Sequence, residues 1–111
     1  MTRVDYNGRE LTIGEQSTML RHEIDDVIEA EGTLLVLLYP EEGNRDRRNV
    51  LGFDKSGNKL WESKIPENSE KHMFGELYKE GDDVIGWSWN HNEYKIDPTT
   101  GELENLGYGG K

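Results

Sequence analysis

The sequence predicts an all-β chain of antiparallel meanders, and three observations carry that reading. The first is residues 49–63, a β-hairpin by their own chemistry. Leu51 and Phe53 alternate with smaller or polar neighbours, Ser56, Gly57 and Asn58 tolerate positive φ, and Leu60 with Trp61 begins the return strand. The second is recurrence. Asp54 opens a glycine-containing turn with Leu60 six residues on, and the same order runs from Asp97 to Leu103 and, in shorter form, from Asp5 to Leu11. The third lies upstream of the hairpins: Ile28 and Gly32 lead into the apolar run 34–39, Leu77 and Gly81 lead into 84–89, and the two glycines are 49 residues apart. Asp5 and Asp54 are also 49 apart, whereas Asp54 and Asp97 are 43 apart; the surplus is loop 40–48, so one insertion accounts for the irregularity.

Residues 2–6 and 9–13 flank Asn7 and Gly8, a strong two-residue hairpin signal. Residues 14–18 are polar and read as a loop. Residues 19–30 suit either a helical face through Leu20, Ile24, Val27 and Ile28 or a strand before Gly32, and the repeat decides for strand. Residues 34–39 are apolar at every position, as in a central strand covered on both faces, and Pro40 ends the run. Residues 44–48 and 66–71 are polar connections. Met73, Phe74, Leu77 and Tyr78 fit a helical turn, so a short helix stands beside the strand reading there. Residues 83–89 alternate, with Ile85, Trp87 and Trp89 on one side; Tyr94 and Ile96 begin the last hairpin, and the glycine-rich residues 105–111 are expected to fray.

Strand-rich repeats of about 40–50 residues, each a small meander, are the sequence signature of β-propeller blades. Two repeats and a partial one cannot close a ring, so the expectation is an open half β-propeller in a single domain spanning residues 1–111, with a small β-sandwich or barrel as the alternative architecture. Exposed blade faces leave a monomer or a weak homodimer as the expected states.

Only 32% of the residues are hydrophobic, so the core must be concentrated in the strands named above. No apolar window approaches a membrane span, no basic-then-apolar leader opens the chain, and there are no cysteines to build disulfides or zinc-thiolate sites; a cytoplasmic protein is expected. The net charge of −10 argues against direct nucleic-acid binding, which relies on Lys and Arg displacing counterions, and favours a basic partner. The charge is uneven: residues 44–64 carry six bases against three acids, while the flanking segments carry ten acids each against three and four bases.

No phosphate-binding loop, dinucleotide fingerprint or nucleophile elbow is present, and His22, His72 and His91 are scattered, so no constellation of catalytic roles is legible and no enzyme or cofactor is expected. The Asp-led turns lack the alternating acids of a calcium loop, and turn capping by Asp54 and Asp97 is the better reading. Repeat alignment sets Trp87 opposite Leu38, as core, and Trp89 opposite Pro40, on a rim with His91 beside loop 40–48, where it could anchor a partner or merely lid the core. The same alignment gathers Glu31 and Glu80 just before the landmark glycines, with Glu29, Asp82 and Asp83 adjacent, at the end of the strands that also holds the Asp54 and Asp97 turns. A concave acidic rim of this kind would steer a basic protein. The candidate partner-binding residues are therefore Glu29, Glu31, Glu80, Asp82 and Asp83, with Glu41, Glu42, Trp89 and His91 at the opposite, long-loop end.

The hairpin from Asn49 to Trp61, the segment from Asn92 to Gly101, the small size and the strong acidity together resemble immunity proteins of bacterial contact-dependent growth inhibition and related polymorphic toxin systems. The resemblance spans most of the chain as a pattern. It implies a half-propeller that binds, in the cytoplasm, the toxic nuclease domain of a secreted effector, a basic ribonuclease above all, and neutralises it by covering the active site. The competing expectation keeps the fold as a non-catalytic scaffold or a carbohydrate-binding module using Trp89 and Tyr94.

Overall fold

The computed structural model describes residues 3–40, 48–63, 74–88 and 92–108. These form eleven strands and no helix: β1 (Val4–Asn7), β2 (Glu10–Ile13), β3 (Gln16–Met19), β4 (Glu23–Ala30), β5 (Thr33–Tyr39), β6 (Val50–Phe53), β7 (Lys59–Glu62), β8 (Phe74–Glu80), β9 (Asp83–Ser88), β10 (Asn92–Ile96) and β11 (Leu103–Tyr108). All pairings are antiparallel between neighbours in sequence, and they divide into three separate sheets, β1-β2-β3, β4-β5-β6-β7 and β8-β9-β10-β11, none closed into a barrel. The sequence expectation of antiparallel meanders is met.

Several local expectations are corrected. The first hairpin turns on Gly8 and Arg9, since Asn7 pairs with Glu10, and Gly8 rather than Asn7 supplies the positive φ of 59°. Residues 16–19 are a strand and not part of a loop; β3 is wholly exposed at the sheet's edge, which is why it carries no apolar alternation to read. For residues 74–80, where strand and short helix both stood, the structure has the strand, the apolar spacing of Phe74 and Leu77 being resolved by a register shift between Phe74 and Glu76 in the pairing with β9. Residues 105–108, part of the stretch expected to fray, continue β11 and pair along β10.

The repeat itself holds for the second and third sheets, with two changes. Ala30 pairs with Thr33 and Glu80 pairs with Asp83, so the equivalent positions lie one residue further apart than the glycine landmarks suggest. A one-residue slip exchanges the two faces of a strand. Trp87 is thus equivalent to Leu37, not Leu38, and lies half-buried on the face of the third sheet that points away from the second. The Asp5 counterpart fails outright: the Gly8 carbonyl accepts from the Ile24 amide at the start of β4, placing that turn at the opposite end of the stack from the Asp54 turn. The turn at Gly14 and Glu15 takes the equivalent place, with Gln16 packed against Gly57.

The second sheet is the middle layer. Leu34, Val36, Leu38, Leu51 and Phe53 pack with Leu11 and Ile13 of the first sheet, and Leu35, Leu37, Val50 and Trp61 pack with Phe74, Leu77, Val84, Tyr94 and Ile96 of the third. Both faces of β5 are therefore buried, as its unbroken apolar run requires. Two polar contacts pin the third sheet to the second. Asn49, fully buried, donates from Nδ2 to the carbonyls of Leu38 (3.0 Å) and Phe74 (2.8 Å) and accepts the Phe74 amide at 3.0 Å, closing the edge of β8 with a side chain. At the other end the Trp61 indole donates to the Pro98 carbonyl at 2.9 Å.

Candidate functional site

Because the strands alternate in direction, the turns of β4–β5, β6–β7, β8–β9 and β10–β11 fall at one end of the stack, with the end of β5 and the start of β6 at the other. At that tip the structure brings Glu31, Asp82 and Asp83 together around a pocket of about 370 Å³. Among the described residues, Asp97, Glu102 and Glu104 complete a lining of six carboxylates, Lys95 is its one cation, and Val84, Ile96, Pro98 and Leu103 give it an apolar floor. Lys95 Nζ lies 3.3 Å from Asp83, which leaves the lining strongly negative.

The turns explain the placement. Glu31 and Gly32 both have positive φ, 51° and 79°, as a two-residue turn of type I′ demands, so a glutamate occupies a left-handed position that Gly or Asn would fill more easily. Asp97 caps its own turn: Oδ1 accepts from the Thr99 amide at 2.9 Å and the Thr99 hydroxyl at 2.6 Å. Those bonds, the Thr99 hydroxyl first, hold the carboxyl below its ordinary range. Asp54 does the same in the second sheet, accepting from the Ser56 and Asn58 amides at 2.9 Å each, and its carboxyl is lowered chiefly by the Asn58 amide. Turn capping is thus the observed role of both aspartates.

The other expected site residues are dispersed. Glu29 is exposed and pairs with Lys55 at 3.0 Å, and Glu80 is exposed across the turn from Asp83, outside the pocket lining. Glu41, Glu42, Trp89 and His91 lie outside the described residues. Tyr94 is fully buried, edge-on to Phe74 with ring centroids 5.8 Å apart, so it is a core residue and not a surface platform for a sugar ring. Sequence reading overlooked Glu102 and Glu104 because the return strand of the last hairpin was given no bounds and residues 105–111 were expected to fray; strand alternation after the Asp97 turn is the signal that would have placed them at the tip. Among the described residues no group of three His, Asp or Glu side chains is arranged to hold a metal ion.

A family model described as a domain of unknown function, DUF7957, matches residues 1–108, and the chain belongs to that family. No curated protein and no solved structure matches the chain.

Proposed function

We propose that this DUF7957 member is an immunity protein: a stoichiometric inhibitor, folded as an open half β-propeller, that covers the active-site cleft of a basic toxin nuclease with its acidic tip. The observation that carries the reading is the convergence of six carboxylates from two sheets around one open, apolar-floored pocket. A surface of that charge matches a cleft built to hold a polyanion, and it accelerates encounter with a basic protein. The succession of a partial and two four-stranded meanders, stacked face on face, supports the half-propeller form. The same chemistry would make neutralisation independent of catalysis by the chain itself.

The test is co-purification of the tagged chain from its native strain, followed by RNA cleavage by any basic partner with and without it. A nuclease silenced at equimolar protein is the expected result. Reversal of Glu31, Asp82 and Asp83 to lysine should abolish that protection, and rising salt should slow association of the native chain. Protection undiminished by the triple reversal would remove the tip from the mechanism. A sugar-processing partner would instead favour the carbohydrate-binding alternative, which the burial of Tyr94 leaves without one of its two expected anchors.

A further inference from the structure

We infer that Trp61 is the positioning residue of the acidic tip, the latch that sets the spacing between the carboxylate supplied by the second sheet and those supplied by the third. The inference rests on the reading that the tip binds a cationic partner. Among the lining residues only Glu31 belongs to the second sheet; Asp82, Asp83, Asp97, Glu102 and Glu104 all belong to the third. Their mutual geometry is therefore a property of how the two sheets dock. At the tip end of that interface the principal directional contact is the indole of Trp61, whose N–H reaches the Pro98 carbonyl at 2.9 Å. Pro98 is itself part of the pocket wall, next to Asp97.

The indole has little freedom to be anywhere else. A Cβ added to Gly52 would lie 2.2 Å from Trp61 Cε2, and one added to Gly101 would lie 2.5 Å from Cε3. The ring is thus seated between the backbone of β6 on its own sheet and the β10–β11 turn of the next, and both seats require glycine. Gly101 also has a φ of 78°, which closes the Asp97 turn over the ring. Sites built from groups on separate elements lose affinity steeply when the supporting shell lets them drift, so a group that fixes the spacing acts on binding without touching the ligand.

The experiment uses the full chain and a decalysine peptide as the cationic probe, with affinity measured by calorimetry at low salt. Trp61→Phe keeps an aromatic ring and deletes the N–H. Val36→Ala, which lies in the other core, between the first and second sheets, serves as a control for loss of stability. A triple variant, Glu31→Gln, Asp82→Asn and Asp83→Asn, reports whether the tip binds at all. The expected result is that Trp61→Phe weakens decalysine binding by about fivefold or more while Val36→Ala binds as the native chain does. In a Trp87→Phe, Trp89→Phe background, where Trp61 is the remaining indole, decalysine should also shift its emission. Native affinity in Trp61→Phe together with a weakened triple variant would overturn the latch and leave the tip reading standing, as would equal weakening by Trp61→Phe and Val36→Ala. Unchanged affinity in the triple variant would overturn the tip reading and the latch with it.

Discussion

The two interfaces of the middle sheet are built on different principles. Against the first sheet it presents aliphatic side chains and Phe53, a surface defined by volume. Against the third it presents a mixed surface in which Trp61 and Asn49 make hydrogen bonds of fixed direction at opposite ends of the contact. Apolar burial is non-directional and holds layers together without specifying their offset. Buried polar contacts stabilise little on balance, yet they penalise every arrangement that leaves them unmade. The second interface is thus pinned at both of its ends by side-chain hydrogen bonds, whereas the first carries the backbone bond from Ile24 to Gly8 at one end, and the second is the interface that the acidic tip straddles.

Substitutions at the two latches should break that contrast most visibly. Trp61→Ala removes a nearly buried aromatic and should cost about 3–5 kcal/mol in chemical denaturation, a loss typical of large-to-small changes in a core. Gly52→Ala should approach it, because the three nearest atoms in the way all belong to the rigid indole. Asn49→Leu, similar in size, leaves the Phe74 amide and two carbonyls without their partner, and should cost about 3 kcal/mol. By contrast Leu51→Met, in the aliphatic interface, should cost under about 1.5 kcal/mol, since volume is conserved and no polar group is stranded. Equal losses for Asn49→Leu and Leu51→Met would erase the distinction between the interfaces.

A smaller effect follows from the edge of the middle sheet. Arg21 forks onto both Glu62 oxygens at 3.1 and 3.2 Å and reaches the Arg48 carbonyl at 2.8 Å, while Lys59 lies 2.8 Å from Glu62. The Lys59 ammonium foremost, then Arg21, holds the Glu62 carboxyl below its ordinary value. A folded-state value lower than the unfolded one contributes stability above the unfolded value and loses it as pH falls through the folded one. The thermal midpoint should therefore be flat near neutrality and decline below about pH 4.5, with Glu62→Gln showing a shallower decline, in the range of a surface pair worth about 0.2–1 kcal/mol. Asp54 and Asp97 shift the same way and add to the acid limb.

The sheets were legible in the sequence wherever a strand was buried on one face or flanked by a turn of marked chemistry. The hairpin of β6 and β7 and the run of β5 show both signals. Strand β3 showed neither, because an edge strand of polar residues owes its form to pairing and not to burial, while β11 followed a marked turn but ran on into a polar, glycine-containing stretch with no signal of its own. The repeat gave the right number of meanders but the wrong phase: a glycine serves as the second turn residue at Gly32 and as the first at Gly81, so aligning glycine on glycine moved Trp87 to the wrong face. Four of the six tip carboxylates were placed at that end by their turns, Glu31, Asp82 and Asp83 as candidate binding residues and Asp97 as a turn cap. Glu102 and Glu104 depend on the course of β11, and Asn49, the inter-sheet clamp, carries no local signal at all because its Phe74 partner is 25 residues away.

The last expectation sets stability against binding at a single residue. Glu31 holds a φ of 51° in a turn whose both central positions are left-handed, while the equivalent turn of the third sheet places Gly81 there. A residue with a branched or long side chain is strained in that region, and Gly or Asn relieves it. Glu31→Asn should therefore raise stability by a few tenths to about 1 kcal/mol, read as a higher denaturation midpoint with unchanged slope. It should at the same time weaken association with a cationic partner, because among the described lining residues it removes the one carboxylate that the middle sheet gives to the pocket. A gain in stability with no loss in binding would show that Glu31 is there for the turn's sake alone, and the third sheet's carboxylates would then have to account for the tip's charge without help from their neighbour.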